Sequence, residues 1–355
     1  MKILVIQQKM IGDVLASSII CNNLKMLYPE AQIDYLIYPF TQPVVLNNPN
    51  IDNLILFHDD YRKSKIAFLN FLLSIKKSQY DLVFDAYGKL ESNLVVAFSG
   101  AKTKIGFRKS YSDFLYSKTT KEITQPLTNA GTALENRINL VKLIAHSNQF
   151  DLKPKIFLTE EEIANGKKIL LHHNIDFSNK IFMIGVLGSG NSKTYPFPFI
   201  AQILDVIVCE TNATLLFNYM PSQIAEAQEI YNLCQKKTQQ HIKIDLIPGS
   251  IREFLSITQH CDALIGNEGG AVNMAKALDI PTFTIFSTWI IKEAWNAFEN
   301  GTTNVSVHLK DFKPELYGTK TAKEMKKEAL KLYEEFRPDL FENQIRKFVQ
   351  IPKVR

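Results

Sequence analysis

No apolar run in this 355-residue sequence approaches the roughly 18 to 20 residues that cross a bilayer as a helix, so a helical membrane span is not expected. Cysteine is scarce. Cys21, Cys209, Cys234 and Cys261 are scattered without a C-x-x-C pair, which argues against a disulfide framework or a structural zinc site and fits a reducing cytoplasm. The seven histidines show no H-x-x-x-H or H-E-x-x-H spacing. His172 and His173 are neighbours in a helical stretch and cannot converge on one metal ion. No GxGxxG follows the first apolar strand, which leaves nicotinamide and flavin dehydrogenases without support. Charge of one sign is also missing. The net +5 is modest and the 13 tyrosines do not interleave with a basic run, so no nucleic-acid partner is expected, while mild attraction to anionic surfaces or substrates stays open. Gln7-Gln8-Lys9 and Asp13 interrupt what would have to be the apolar core of a secretory signal.

What is present is a chain too long for one ordinary core, and two domains of about 150 to 170 residues each are expected. At 46% hydrophobic and 22% charged residues there is material for two cores and no case for global disorder. Short apolar strands alternate with helical segments: Ile3–Ile6, a helix Val14–Leu27, then Gln32–Ile37, Asn53–Phe57, Asp81–Phe84 and Lys104–Phe107. The rhythm restarts at Phe182–Val186 and continues through Thr214–Phe217, Ile242–Leu246, Ala263–Gly266 and Thr282–Phe286. Two parallel sheets with helices on both faces follow, an α/β chain of two doubly wound domains. The join falls between Asn148 and Thr159, where Pro154 interrupts a polar stretch after a helix Asn136–Ala145. The domains are 1–153 and 154–320, followed by a charged helical tail, 321–355, broken at Pro338 and expected to pack back on the N-terminal domain.

Asp13 follows the first strand and a short turn, Ile11-Gly12-Asp13, where a helix begins. Open α/β sheets bind ligands at this strand edge, so the carboxylate is placed to act as a general base; capping the helix is the competing role. The turn Gly185-Val-Leu-Gly188-Ser-Gly190-Asn-Ser-Lys193-Thr194 lies between a strand and a helix near Pro198–Ile207. Its glycines let backbone N–H groups approach a phosphate and Lys193 supplies a counter-charge. A plain loop accounts for it equally well, and a P-loop is excluded because position 191 is Asn191. Further on, Asp262-Ala-Leu-Ile-Gly266-Asn267-Glu268-Gly269-Gly270 reads as a strand and a glycine turn opening a helix, another diphosphate-sized array of donors.

Four stretches together resemble the ADP-heptose:lipopolysaccharide heptosyltransferases, glycosyltransferase family 9, with the GT-B fold. They are Lys2-Ile-Leu-Val-Ile with Gly12-Asp13-Val14; Tyr80-Asp-Leu-Val-Phe-Asp85-Ala-Tyr-Gly88 continuing to Ile105-Gly106-Phe107-Arg108; the Lys193 turn; and Asp262 to Phe286. The resemblance spans about 300 residues in order, and joint occurrence is more specific than any one piece. It implies two Rossmann-like domains about a central cleft, with acceptor on the N-terminal side and nucleotide sugar on the C-terminal side. It also implies inverting transfer with no cofactor and no essential metal, with Asp13 as catalytic carboxylate and Lys193 at the phosphates. Gly269 and Gly270, with Glu268 before them, fall on the phosphate turn. Gln223 falls loosely where relatives place an acid against the ribose, with Glu226 as substitute. Arg108, and more weakly Arg62, fall where an acidic acceptor sugar is held; a solvated surface charge is the alternative for either. The implied partners are a nucleotide-sugar donor, ADP-heptose above all, and a lipid-linked saccharide of the lipopolysaccharide core, on the cytoplasmic side of the inner membrane.

The chain also departs from the family. Relatives read Asp-Thr-Gly-x-x-His where Glu268-Gly269-Gly270-Ala271-Val272-Asn273 stands, and the usual Gly-Pro-Thr after Phe286 is Ser287-Thr288-Trp289-Ile290. A changed donor pocket follows, which keeps open a sugar-nucleotide epimerase and a binding protein without turnover. One more segment, Ile66–Ile75 flanked by Arg62, Lys63, Lys65, Lys76 and Lys77, suits an anionic membrane surface. A core helix covered on most sides is the favoured alternative, because no fully polar face is visible.

Overall fold

The computed structural model describes residues 1–145 and 149–353; Asn148, at the near end of the expected join, lies outside them. Two compact units are present, Met1–Phe157 with Glu293–Ala297, and Leu158–Lys292 with Phe298–Arg355. The first is built on six strands, β1 (Lys2–Ile6), β2 (Gln32–Ile37), β3 (Asn53–Leu56), β4 (Leu82–Asp85), β5 (Thr103–Phe107) and β6 (Lys118–Thr120). Their order across the sheet is β3-β2-β1-β4-β5-β6, all parallel. The second repeats the plan with β7 (Ile181–Gly185), β8 (Thr214–Asn218), β9 (Ile242–Lys243), β10 (Ala263–Asn267), β11 (Thr282–Ile285) and β12 (Asn304–Val307), in the order β12-β11-β10-β7-β8-β9. In each sheet the first strand pairs on both sides, and the strand order reverses there. That reversal opens a crevice at the carboxyl end of the strands.

The helix after β1 runs Ile11–Leu27, three residues earlier than expected, so Met10 is its N-cap and Asp13 sits one turn inside. Asp13 does reach back, accepting from the Met10 N–H at 3.4 Å, a long contact. This helix is buried nearly all round despite its Ser and Asn residues. Each of these has a partner: the Ser18 hydroxyl donates to Leu15 O at 2.7 Å, Asn23 Nδ2 donates to Ile19 O and Asp151 O at 2.7 Å, and Asn22 Oδ1 accepts from Asn48 and Asn50. Buried polar groups are tolerated on those terms.

Three expectations are corrected. The strand expected at Ile242–Leu246 is only Ile242–Lys243, at the sheet edge. The tail, expected to pack on the N-terminal domain, belongs to the second unit. Its helices Ala322–Lys327, Ala329–Glu335 and Glu342–Val349 fold onto the second, where Tyr333, Phe336, Phe341 and Phe348 join the core of β7, β8, β10 and β11. Tyr195 sits among Tyr333, Phe336 and Phe341 with ring centroids at 5.9, 5.5 and 6.1 Å, and burying aromatic surface is what draws the tail in. The basic-flanked segment forms a helix, Lys65–Lys77, that is covered on one face only, through Phe71, Leu72 and Ile75.

Candidate active site

At the carboxyl end of β1, Asp13 Oδ1 accepts from Arg137 Nη2 at 2.8 Å. The arginine side chain is 11% exposed and the aspartate 31%. Arg137 comes from the helix Thr132–Lys142, and its other nitrogens are also engaged: Nε donates to Ser17 Oγ at 3.0 Å and Nη1 to Ala133 O at 2.7 Å. The chain of bonds continues as Ser17 Oγ donates to Gln7 Oε1 at 3.3 Å and Gln7 Nε2 to Lys9 O at 2.7 Å. A guanidinium fixed at three nitrogens holds one carboxylate oxygen in place. Among the described residues, Oδ2 has only the long Met10 contact.

Beside it, at the end of β4, Asp85 is fully buried. Its Oδ1 accepts from the Tyr87 and Gly88 N–H groups at 2.9 and 2.8 Å, and its Oδ2 from the Tyr116 hydroxyl at 2.8 Å. Burial pushes its carboxyl above the ordinary range, against those bonds. It shapes the Asp85–Gly88 turn, and Lys109 Nζ adds a bond to Gly88 O at 2.9 Å. Arg108 and Arg62 follow β5 and β3 at the same sheet edge. Arg108 is exposed, with Nε donating to Thr119 Oγ1 at 3.3 Å, and Arg62 pairs with Glu91 at 3.1 Å. Among the described residues, the cation paired with Asp13 is Arg137.

The second unit places the two glycine turns on neighbouring strands, one after β7 and one after β10. Asn267 ties them, its Nδ2 donating to Gly185 O and Val186 O at 2.9 and 3.0 Å and its Oδ1 accepting from the Tyr195 N–H at 2.7 Å. Gly188 is required, since a Cβ there would stand 2.2 Å from Lys193 O. Lys193 Nζ lies 3.0 Å from Glu268 Oε1 and 5.5 Å from the Trp289 ring centre. Lys326, from the tail, lies 4.7 Å from the same indole, and Trp289 Nε1 donates to Ser192 O at 2.9 Å. Gln223 Nε2 reaches Gly188 O at 3.2 Å, whereas Glu226 is exposed on the following helix. Gly269, with φ of 150°, caps the helix Gly270–Ala277 without a side-chain bond, leaving first-turn N–H groups as donors. No group of three or more His, Cys, Asp or Glu able to hold a metal occurs among the described residues.

The sequence profile of glycosyltransferase family 9 (heptosyltransferase) matches residues 69–325. The chain belongs to glycosyltransferase family 9. Lipopolysaccharide heptosyltransferase 1 of Campylobacter coli is 24% identical over 298 residues, covering 81% of this chain and 84% of that protein. Lipopolysaccharide heptosyltransferase 2 of Escherichia coli K12 is 23% identical over 296 residues, covering 81% and 82%. Among solved structures, a family 9 glycosyl transferase from Veillonella parvula matches with a TM-score of 0.74 at 16% identity, over 94% of this chain and 97% of that one. The E. coli ADP-heptose lipopolysaccharide heptosyltransferase II matches at 0.65 and 16%, over 95% and 99%. Those likenesses carry the fold, which is GT-B.

In this family 9 glycosyltransferase the sequence-chosen Lys193, Glu268, Gly269, Gly270 and Gln223 come together around two adjoining turns. Asp13 lies at the carboxyl edge of the first sheet, outside the matched span. Arg137, Lys326 and the anchoring role of Trp289 were not legible. A weak signal for Arg137 existed: it falls between Leu134 and Ile138 on the apolar stripe of its helix, where a charge calls for a partner.

Proposed function

We propose that the enzyme moves a heptose or related sugar from a nucleotide diphosphate donor, ADP-heptose by analogy with its relatives, onto a lipopolysaccharide core precursor with inversion at the anomeric carbon. The observation that carries this is Asp13, its Oδ1 held by Arg137 and its Oδ2 open, at the switch point of one sheet. The Lys193 and Gly269–Gly270 turns occupy the equivalent place in the other. Oδ2 accepts the proton of an acceptor hydroxyl as its oxygen bonds the anomeric carbon and the bond to the diphosphate breaks. Negative charge grows on the departing diphosphate, where backbone N–H groups, Lys193 and Lys326 oppose it. Glu268 orients Lys193 and offsets part of its charge, which gives Lys326 its importance. No metal or cofactor enters the scheme. Arg108, with Arg62 as the weaker candidate, meets an acidic acceptor sugar, and a lipid-linked acceptor would put the work on the cytoplasmic face of the inner membrane.

The test is nucleoside diphosphate release from a panel of ADP-, GDP- and UDP-sugars. Release is expected with an ADP-sugar and only when a lipid-core acceptor is present. Asp13→Asn should reduce turnover about 10²- to 10⁴-fold, the range of general-base catalysis. Release without acceptor would favour an epimerase, and full activity in Asp13→Asn would remove the carboxylate from the mechanism.

A further inference from the structure

The helix Lys65–Lys77 has a face that the fold does not use. At about 100° per residue, Phe68, Phe71, Leu72 and Ile75 fall on one side, where they pack against Phe57, Tyr61 and the rest of the first unit's core. Phe57 meets Tyr61, Phe68 and Phe71 with ring centroids at 5.3, 5.8 and 5.5 Å. The opposite side, which also bears Asn70, is not wholly polar. It carries Ile66, Leu69 and Leu73, spaced i, i+3, i+7, and they are 74%, 49% and 41% exposed. Lys76 and Lys77 share that side, and Lys65 borders it.

We propose that this face is a docking surface for an anionic lipid bilayer. Scattered exposed aliphatics are ordinary, but three in one helical stripe are a patch. Charge complementarity selects the occupant. Lys63, Lys65, Lys76 and Lys77 bracket the stripe, no Asp or Glu occurs from 62 to 77, and the nearest acids before it are Asp59 and Asp60; Arg62 is paired with Glu91. Apolar side chains entering the acyl boundary while lysines meet anionic headgroups is the arrangement of an interfacial helix. Lysine stems reach outward for this without strain. Here the helix is also packed against aromatic rings of the core, so it is folded before contact. The helix follows β3, so its Ile66 end starts from the sheet edge that bears Asp13. Docking would bring that edge to the bilayer.

This goes beyond the proposed reaction and is tested apart from it. The full chain is sedimented with vesicles of phosphatidylglycerol and, separately, of phosphatidylcholine. Binding is expected to the first and not the second, and to weaken with added salt. The combined variant Ile66→Ser, Leu69→Ser, Leu73→Ser should bind phosphatidylglycerol vesicles about tenfold or more weakly, with an unchanged circular dichroism spectrum and melting temperature, since none of the three side chains is buried. Lys76→Gln with Lys77→Gln should also weaken binding. No binding by the unaltered chain, equal binding to both vesicle types, or binding undiminished in the triple variant would overturn the proposal. So would a dimer in vesicle-free solution that dissociates in that variant, because the stripe would then belong to a second copy.

Discussion

Asp13 carries two roles that pull on different atoms. Its Oδ2 accepts from the N–H of Met10, the N-cap of its own helix, while its Oδ1 is tied to Arg137. The helix starts early enough that Asp13 is its third residue, reaching back to the N-cap rather than being the cap itself. In the proposed mechanism Arg137 acts through Asp13, as a positioning residue. Arg137→Met should lower kcat about 10- to 100-fold, as a misplaced reacting group does, with the donor KM unchanged; Arg137→Lys should restore part of it. Steady-state kinetics with each substrate varied separates this from a structural defect, which would move both constants and the melting temperature. Asp13 was visible because a carboxylate beside a buried strand is conspicuous. Arg137 lies 124 residues further on, and nothing local names its partner.

Among the elements, the helix Glu160–His172 shows how a local signal and a distant one combine. Thr159 and Glu162 form a capping box, with Thr159 Oγ1 accepting from the Glu162 N–H at 3.1 Å and Glu162 Oε2 from the Thr159 N–H at 2.8 Å. Glu162 also pairs bidentately with Arg252, whose Nε donates to Oε1 at 2.6 Å. The helix meets Ile251–Thr258 closely enough that a Cβ on Gly166 would stand 2.4 Å from Ser256 O. Hydrogen bonding from Arg252, above all, holds the Glu162 carboxyl below its ordinary 4.5. A depressed carboxylate adds stability above the unfolded value, and that stability is lost as pH falls from about 4.5 through the lower folded value. Glu162→Gln keeps a capping side chain but loses the charge. It should cost about 1 kcal/mol at pH 7, discounted for partial exposure, and progressively less as pH falls below about 4.5, measured by denaturant titration across that range. The short edge strands β6 and β12 are the elements that the sequence concealed. Lys-Thr-Thr and Asn-Val-Ser-Val are polar or too brief to show a strand period.

For the whole molecule, the two units are separate cores with one plan, and the tail belongs to the second. Removing residues 321–355 would strip Tyr333, Phe336, Phe341, Ile345 and Phe348 from that core. Each large side chain lost from a core costs about 2 to 5 kcal/mol, several together exceed the 5 to 15 kcal/mol that typically holds a domain folded, and the tail is therefore not an optional appendage. A chain ending at Lys320 should show the first unit folded and the second not. Two-step denaturation of the full chain, with the second step missing in the shortened one, would show it by circular dichroism. No helix among the described residues is long and apolar enough to cross a membrane.

The sequence by itself determined the two doubly wound units, nearly all their strands, and the placing of Asp13, Lys193 and the Gly269–Gly270 turn. These follow from apolar runs, glycine turns and strand ends, all local in the chain. Tertiary structure decided the rest: which cation holds Asp13, that Glu268 and Trp289 bracket Lys193 with Lys326 close by, where the tail packs, and which side of Lys65–Lys77 stays bare. Those depend on distant segments meeting, and burial and charge pairing take effect only when they do.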